Sequence, residues 1–259
     1  MRSGAPLAGR SLAQVLAHSP LDPLETRILL GHALGLSRVQ LITRADQLLN
    51  AADAARLDAL FARRLAGEPI AYLTGEREFY GLGFRVTPAV LIPRPDTELL
   101  VELACARLPR NGSVLDMGTG SGAIAVAIAH ARPDAQVSAL DASAAALEVA
   151  RGNAARNGVA VEFLQSDWYA ALSLSPRRFD MIVSNPPYIV AGDSHLSEGD
   201  LRFEPVDALT DHADGLSALR AIVAGAPAFL APGGWLLLEH GYDQAPPVRR
   251  PFSRRAAGC

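Results

Sequence analysis

The sequence predicts an α/β fold: a doubly wound parallel sheet with helices on both faces, preceded by a small all-helical domain. Three observations carry that reading. From residue 96 onward, short apolar runs alternate with helix-like stretches. The first of those runs leads through a glycine loop straight into a helix. Residues 10 to 66, in contrast, show helical signals and no strand pattern. The predicted organisation is a helical domain over residues 1–69, a β-hairpin linker over 70–95 and the α/β domain over 96–259, with a C-terminus that becomes atypical from about 246.

Each element has its own signal. Ser11 is placed to cap a first helix, and Pro23 sits where a first helical turn tolerates it. Residues 51–65 are alanine-rich, with Leu57, Leu60, Phe61 and Leu65 spaced for one apolar face. Gly67 and Pro69 break that pattern. The stretch Glu78-Phe79-Tyr80-Gly81-Leu82-Gly83-Phe84-Arg85-Val86 mixes aromatics, glycines and alternating positions, which predicts a hairpin turning near residues 81–83. A helix follows over 97–108. Strands are predicted at 113–117, 136–140, 161–164, 179–184 and 234–239, with helices at 123–131, 142–157 and 216–229. The tail from Pro246 carries three prolines and four arginines and no strand-like run. A sheet of this type ordinarily continues past its fifth strand, so the last strands are expected to be missing and the end truncated or altered.

Composition narrows the function classes. A hydrophobic fraction of 49% supports a packed core. No apolar run reaches the roughly 18 residues of a membrane helix, and Met1 to Arg10 holds no apolar leader, so a cytoplasmic protein without membrane association is expected. The charge is −3, so the basic balance of a polyanion-binding protein is absent and no direct nucleic-acid contact is expected. All 24 basic residues are arginine, a compositional bias with no functional reading. Cys105 and Cys259 lie far apart in different contexts and argue for neither a disulfide framework nor a metal site.

Two motifs carry chemistry. Asp116-Met117-Gly118-Thr119-Gly120-Ser121-Gly122 follows a strand and opens a helix, and glycines let the backbone turn tightly and approach a ligand closely. Alone, it is equally an ordinary strand-to-helix turn. Asp141 sharpens it, since it ends the next strand 19 positions after Gly122, where an acid suits a ribose diol. The spacing is G-x-G-x-G rather than the G-x-G-x-x-G of a pyrophosphate site, and Asp116 places a carboxylate just before the loop. Both favour a cationic sulfonium ligand, S-adenosylmethionine, over a dinucleotide.

The second motif is Asn185-Pro186-Pro187-Tyr188, at the end of the fourth strand of the α/β domain. In an open α/β sheet, ligands bind beyond the carboxyl ends of the strands, so this element, the glycine loop and Asp141 should converge on one crevice. An amide nitrogen is a poor nucleophile because its lone pair is delocalised. Both its hydrogens need acceptors, and the Asn185 side-chain oxygen and the Pro186 carbonyl are suited to be those two. The prolines preorganise the backbone, and Tyr188 offers a face to a planar amide or base. Asn-Pro alone commonly starts a turn; the glycine loop nearby is what lifts this element above one.

With these motifs the chain resembles the N-methyltransferases with a Rossmann-like class I sheet. The stretches Leu91-Ile92-Pro93-Arg94-Pro95-Asp96-Thr97-Glu98, Gly75-Glu76-Arg77-Glu78-Phe79-Tyr80-Gly81 and Glu239-His240-Gly241-Tyr242-Asp243-Gln244 resemble, more narrowly, the release factor glutamine methyltransferases, over roughly residues 10 to 245. The resemblance implies that Gly118, Thr119, Gly120, Ser121 and Gly122 line the S-adenosylmethionine site and that Asp141 binds the ribose. It implies that Trp168 flanks the adenine, although a core aromatic fits Trp168 nearly as well. Asn185 would touch both cofactor and glutamine, with Pro186, Pro187 and Tyr188 holding the substrate. The activity implied is methylation of the N5 amide nitrogen in the Gly-Gly-Gln motif of peptide-chain release factors 1 and 2, by a monomer whose helical domain helps grip the factor. Arg94 and Glu98 are expected to brace the cleft or domain junction, and His240 to be structural. The Asn-Pro-Pro-Tyr element also occurs in adenine methyltransferases, so adenine N6 methylation of nucleic acid stays open as an alternative, as does methylation of a ribosomal protein. The altered C-terminus, where the family continues with a helix and two strands, keeps open a catalytically impaired binding protein.

Overall fold

The computed structural model describes residues 7–174 and 177–244. The chain divides into two compact units, Met1–Gly75 and Glu76–Cys259. The expected irregular tail from Pro246 lies outside the described residues.

The first unit is helical: α1 (Leu12–Ala17), α2 (Pro23–Leu34), α3 (Arg38–Thr43), α4 (Ala51–Leu65) and α5 (Ile70–Thr74). Its helix starts are written in the sequence. Ser11 and Gln14 form a reciprocal capping box, Asp22 caps α2 with Pro23 in the first turn, and Gly35, at φ 63°, closes α2. Leu12, Val15, Leu29, Leu30, Leu57 and Phe61 make the core. Leu65, expected on the same face of α4, is instead exposed, as the last residue of its helix.

The second unit opens with a hairpin, β1 (Glu76–Phe79) and β2 (Leu82–Arg85). Phe79 pairs with Leu82, so the loop is Tyr80-Gly81 rather than the later turn expected at 81–83. Both loop residues have positive φ, 54° and 74°, as a two-residue hairpin turn requires. Glu98 Oε1 accepts the Tyr80 N–H at 2.9 Å and so holds the unusual tyrosine in place.

The α/β part then runs α6 (Glu98–Arg107), β3 (Ser113–Met117), α7 (Ala123–Ala131), β4 (Gln136–Asp141), α8 (Ala144–Arg156), β5 (Glu162–Gln165), β6 (Phe179–Ser184), α9 (Val206–Leu209), α10 (Ser217–Phe229) and β7 (Leu230–Leu238). The five strands are parallel, in the order β5-β4-β3-β6-β7. This is the predicted Rossmann-like parallel sheet. Strands β3, β4 and β6 are buried along nearly their whole length, as expected of a sheet covered on both faces. Helix α7 is buried from Ala123 to Ala129, which explains its almost entirely apolar sequence. The chain leaves β3 toward β4 on one side and returns to β6 on the other, so the crevice opens at the carboxyl ends of β3 and its neighbours. Among the described residues, no helix is long and apolar enough to cross a membrane.

Candidate active site

The turn after β3 depends on glycine. Gly118, Gly120 and Gly122 all have positive φ, at 70°, 55° and 82°. Other residues adopt that region only under strain. Gly122 is doubly constrained, because a Cβ there would meet the Ala150 Cβ at 3.1 Å. Beneath the loop, Asp116 Oδ2 accepts the Thr119 hydroxyl at 2.6 Å and the Ala125 N–H at 3.2 Å. Burial pushes the Asp116 carboxyl up to about 7, against the pull of those two bonds. Its Oδ1 is buried without a hydrogen-bond partner among the described residues. From the sequence, the Asp116 carboxylate just before the loop suits a cationic ligand. It is instead fully buried, where it braces the loop, and it is not part of the cavity wall.

Asp141 ends β4 and accepts the Gly120 N–H at 2.8 Å and the Ser143 N–H at 2.9 Å, one on each oxygen. Burial raises its carboxyl, while the backbone donors from Ser143 and Gly120 oppose the rise. Each oxygen keeps acceptor capacity for a further donor. Trp168 is half-buried, with φ 43°, and its carbonyl accepts the Ser166 hydroxyl at 2.7 Å. An aromatic residue held at positive φ is a strained conformation that the surrounding structure must enforce.

At the end of β6, Ser184 donates to the Met117 carbonyl at 2.6 Å and ties the two central strands together. The next residue, Asn185, donates from Nδ2 to the Thr97 hydroxyl at 3.1 Å. Thr97 in turn donates to Glu239 Oε2 at 2.7 Å, and the Tyr188 hydroxyl donates to Glu239 Oε1 at 3.2 Å. Burial first, and then the Glu239 carboxylate, push the Tyr188 phenol up to about 12, so it stays protonated. Gln244 Nε2 holds the Tyr188 carbonyl at 2.9 Å.

Among these pieces lies one cavity of about 460 Å³, within the range of about 300–1,000 Å³ usual for small-molecule sites. Gly118, Thr119, Gly120, Ser121, Asp141, Trp168, Asn185 and Pro187 are on its wall. Gly122, Pro186 and Tyr188, grouped with them from the sequence, are not: Gly122 packs on Ala150 and Pro186 is buried.

Sequence reasoning missed several residues that hold the site. Glu204 is fully buried, accepts the Ile92 N–H at 3.0 Å and pairs with Arg94. Asn153 is also buried, bonding the backbone of Arg85 in both directions and the Ser121 carbonyl. Thr97 and Glu239 stood inside the stretches of family resemblance without an assigned role. Arg94 lines the cavity and pairs with Glu204, Glu98 holds the hairpin turn rather than the cleft, and His240 contacts the neighbouring Gly241 carbonyl.

The comparisons agree with this architecture. Residues 95–199 match the methyltransferase small domain family, and residues 8–75 match the PrmC N-terminal domain family. A release factor glutamine methyltransferase of Burkholderia pseudomallei is 64% identical over 245 residues, covering 92% of this chain and 86% of that protein. One from Neisseria gonorrhoeae is 56% identical over 234 residues, with 90% and 86% covered. A methyltransferase structure from Pyrococcus furiosus shares the fold, at TM-score 0.51 and 22% identity, over 75% of this chain and 85% of that one. On the strength of the two relatives, the chain belongs to the release factor glutamine methyltransferase family.

Proposed function

We propose that this protein uses S-adenosylmethionine to methylate the side-chain amide nitrogen, N5, of the glutamine in the Gly-Gly-Gln motif of peptide-chain release factors 1 and 2, acting as a monomer. The observation that carries the proposal is convergence: Asn185 lines the same cavity as the glycine loop and Asp141. The names of the relatives support the release factor as the substrate.

The residues fit the cofactor. The exposed Gly118 backbone permits close approach, Asp141 retains acceptor capacity suited to ribose hydroxyls, and Trp168 offers an aromatic wall suited to adenine. When bound, the cofactor supplies a methyl group activated by a sulfonium centre. The protein's own task is orientation. In this reading the Asn185 oxygen accepts one hydrogen of the target amide and the Pro186 carbonyl, at the margin of the cavity, accepts the other; Pro187 holds the side chain from the wall, and Tyr188, set back from the wall, completes the substrate-holding turn while its hydroxyl is engaged with Glu239. On transfer the nitrogen would gain the methyl carbon as that carbon's bond to sulfur breaks, the bonding pair staying on sulfur, and the nitrogen would then release one proton to solvent, so no dedicated acid–base pair is required. Held acceptors replace an entropic search by a fixed approach, which is where such a reaction gains most.

The test is a transfer assay with methyl-labelled cofactor, offering release factor, ribosomal protein and DNA in parallel. Label confined to the release factor glutamine is the expected result. Label in DNA adenine, or in the ribosomal protein alone, overturns the proposal, and cofactor binding without transfer to any of the three points to a binding protein.

A further inference from the structure

An asparagine amide can sit either way round in nearly the same shape, yet its two ends are opposite in chemistry. At Asn185 the surrounding hydrogen bonds make the choice. Glu239 is held beside the end of β6 by its N–H to the Ser184 carbonyl at 3.0 Å. Its two oxygens accept from the Thr97 hydroxyl at 2.7 Å and the Tyr188 hydroxyl at 3.2 Å. A carboxylate only accepts, so the single Thr97 hydrogen is committed to Glu239. The Thr97 oxygen then offers lone pairs alone, and the group that meets it must be the Asn185 NH2, as observed at 3.1 Å. Thr97 is only 4% exposed, so bulk water does not substitute for it. Among the described residues, Asn185 Oδ1 makes no hydrogen bond, and Asn185 lines the cavity.

We infer that Thr97 and Glu239 are positioning residues: by fixing the polarity of the Asn185 amide, they make the cleft present an acceptor to the target and so select a primary amide over a carboxylate. This deepens the glutamine reading and rests on it. With the Asn185 amide reversed, its NH2 would face the target NH2, donor against donor. The same reversed amide would suit a glutamate side chain, which offers only acceptors.

The experiment compares the parental protein with Thr97→Ser, the near-isosteric Thr97→Val and Glu239→Gln. Steady-state kinetics on release factor and calorimetric cofactor binding are measured for each. Thr97→Ser keeps the relay, and its kcat should stay within about threefold of the parental value. Thr97→Val should lower kcat by about 30-fold or more, with KM and cofactor affinity within about threefold. Glu239→Gln gives Thr97 a donor as well as an acceptor and should lower kcat by about tenfold in the same pattern. A Thr97→Val protein with parental kcat, or a Thr97→Ser protein as damaged as Thr97→Val, overturns the relay.

A second readout needs no substrate. The side-chain amide signal of Asn185, assigned with Asn185→Ala, should show a proton protected from solvent exchange in the parental and Thr97→Ser proteins and unprotected in Thr97→Val. Equal protection in all three overturns the relay. If the parental protein fails to methylate release factor, the functional proposal falls, and this amide measurement still decides the relay.

Discussion

Because an amide lone pair is delocalised, its two hydrogens are the handles by which a protein can orient the nitrogen. Asn185 and the Pro186 carbonyl are assigned those handles here, so their loss should appear in turnover more than in binding. Asn185→Ala should reduce kcat by on the order of 100-fold, with cofactor affinity nearly unchanged, while Asn185→Asp, which keeps an acceptor, should retain more activity. Parental turnover in the alanine variant would reduce the element to a simple turn. Asp116 offers a different single-residue test. Its folded carboxyl titrates near 7, above its ordinary 3.8, so the native state holds the proton more tightly than the unfolded chain does. That contribution to stability is therefore full below about pH 4 and declines as pH rises toward 7. Urea melts of the parental protein and Asp116→Asn at pH 5 and pH 8 should show the parental protein losing ground to the variant at the higher pH. A stability difference that stays constant with pH would contradict the assignment.

At the scale of elements, the turn from β3 into α7 is the most constrained piece of backbone. Gly122→Ala forces an L-residue to φ 82° and presses its methyl on Ala150. A loss on the order of 2–3 kcal/mol by denaturant melt is expected, from left-handed strain plus the contact. Combining it with Ala150→Gly should lose less than the sum of the two single changes, and strict additivity would show that the contact is not the cause. This turn was legible because a glycine run between an apolar strand and an apolar helix has few other uses. The strands were legible for a related reason: parallel strands covered on both faces are nearly continuous apolar runs. The sequence places the hairpin turn slightly late, because a tyrosine at positive φ is rare and nothing in the sequence reveals Glu98 reaching back to hold it. For the connection from residue 189 to 215 the sequence offers no reading. That connection carries no apolar periodicity, and its key residue, Glu204, is a buried charge of the kind ordinarily expected at the surface. Likewise Thr97 and Glu239 meet across 142 positions of sequence, a contact that only the order of the strands creates.

For the whole molecule, the chain divides into two compact units, and the proposed function asks for two tasks, holding the cofactor and gripping the protein substrate. Among the described residues, every residue on the cavity wall belongs to the second unit. The first unit has its own core, built on Leu12, Leu29, Leu30, Leu57 and Phe61, together with exposed apolar residues such as Leu24, Val39, Ile42 and Leu48. That combination supports the proposal that it grips the protein substrate, since apolar side chains at a surface gain by being covered. Deleting residues 1 to 75 should therefore leave cofactor affinity within about threefold and reduce kcat/KM on intact release factor by about tenfold or more, the equivalent of about 1.4 kcal/mol of lost recognition. A free peptide carrying the Gly-Gly-Gln motif provides the control. It has no remote surface to grip, so the truncated and full-length proteins should methylate it at similar, low efficiency. Equal activity of the two proteins on intact release factor would remove the recognition role from the helical unit. An equal loss on factor and peptide would assign that unit to the integrity of the site instead.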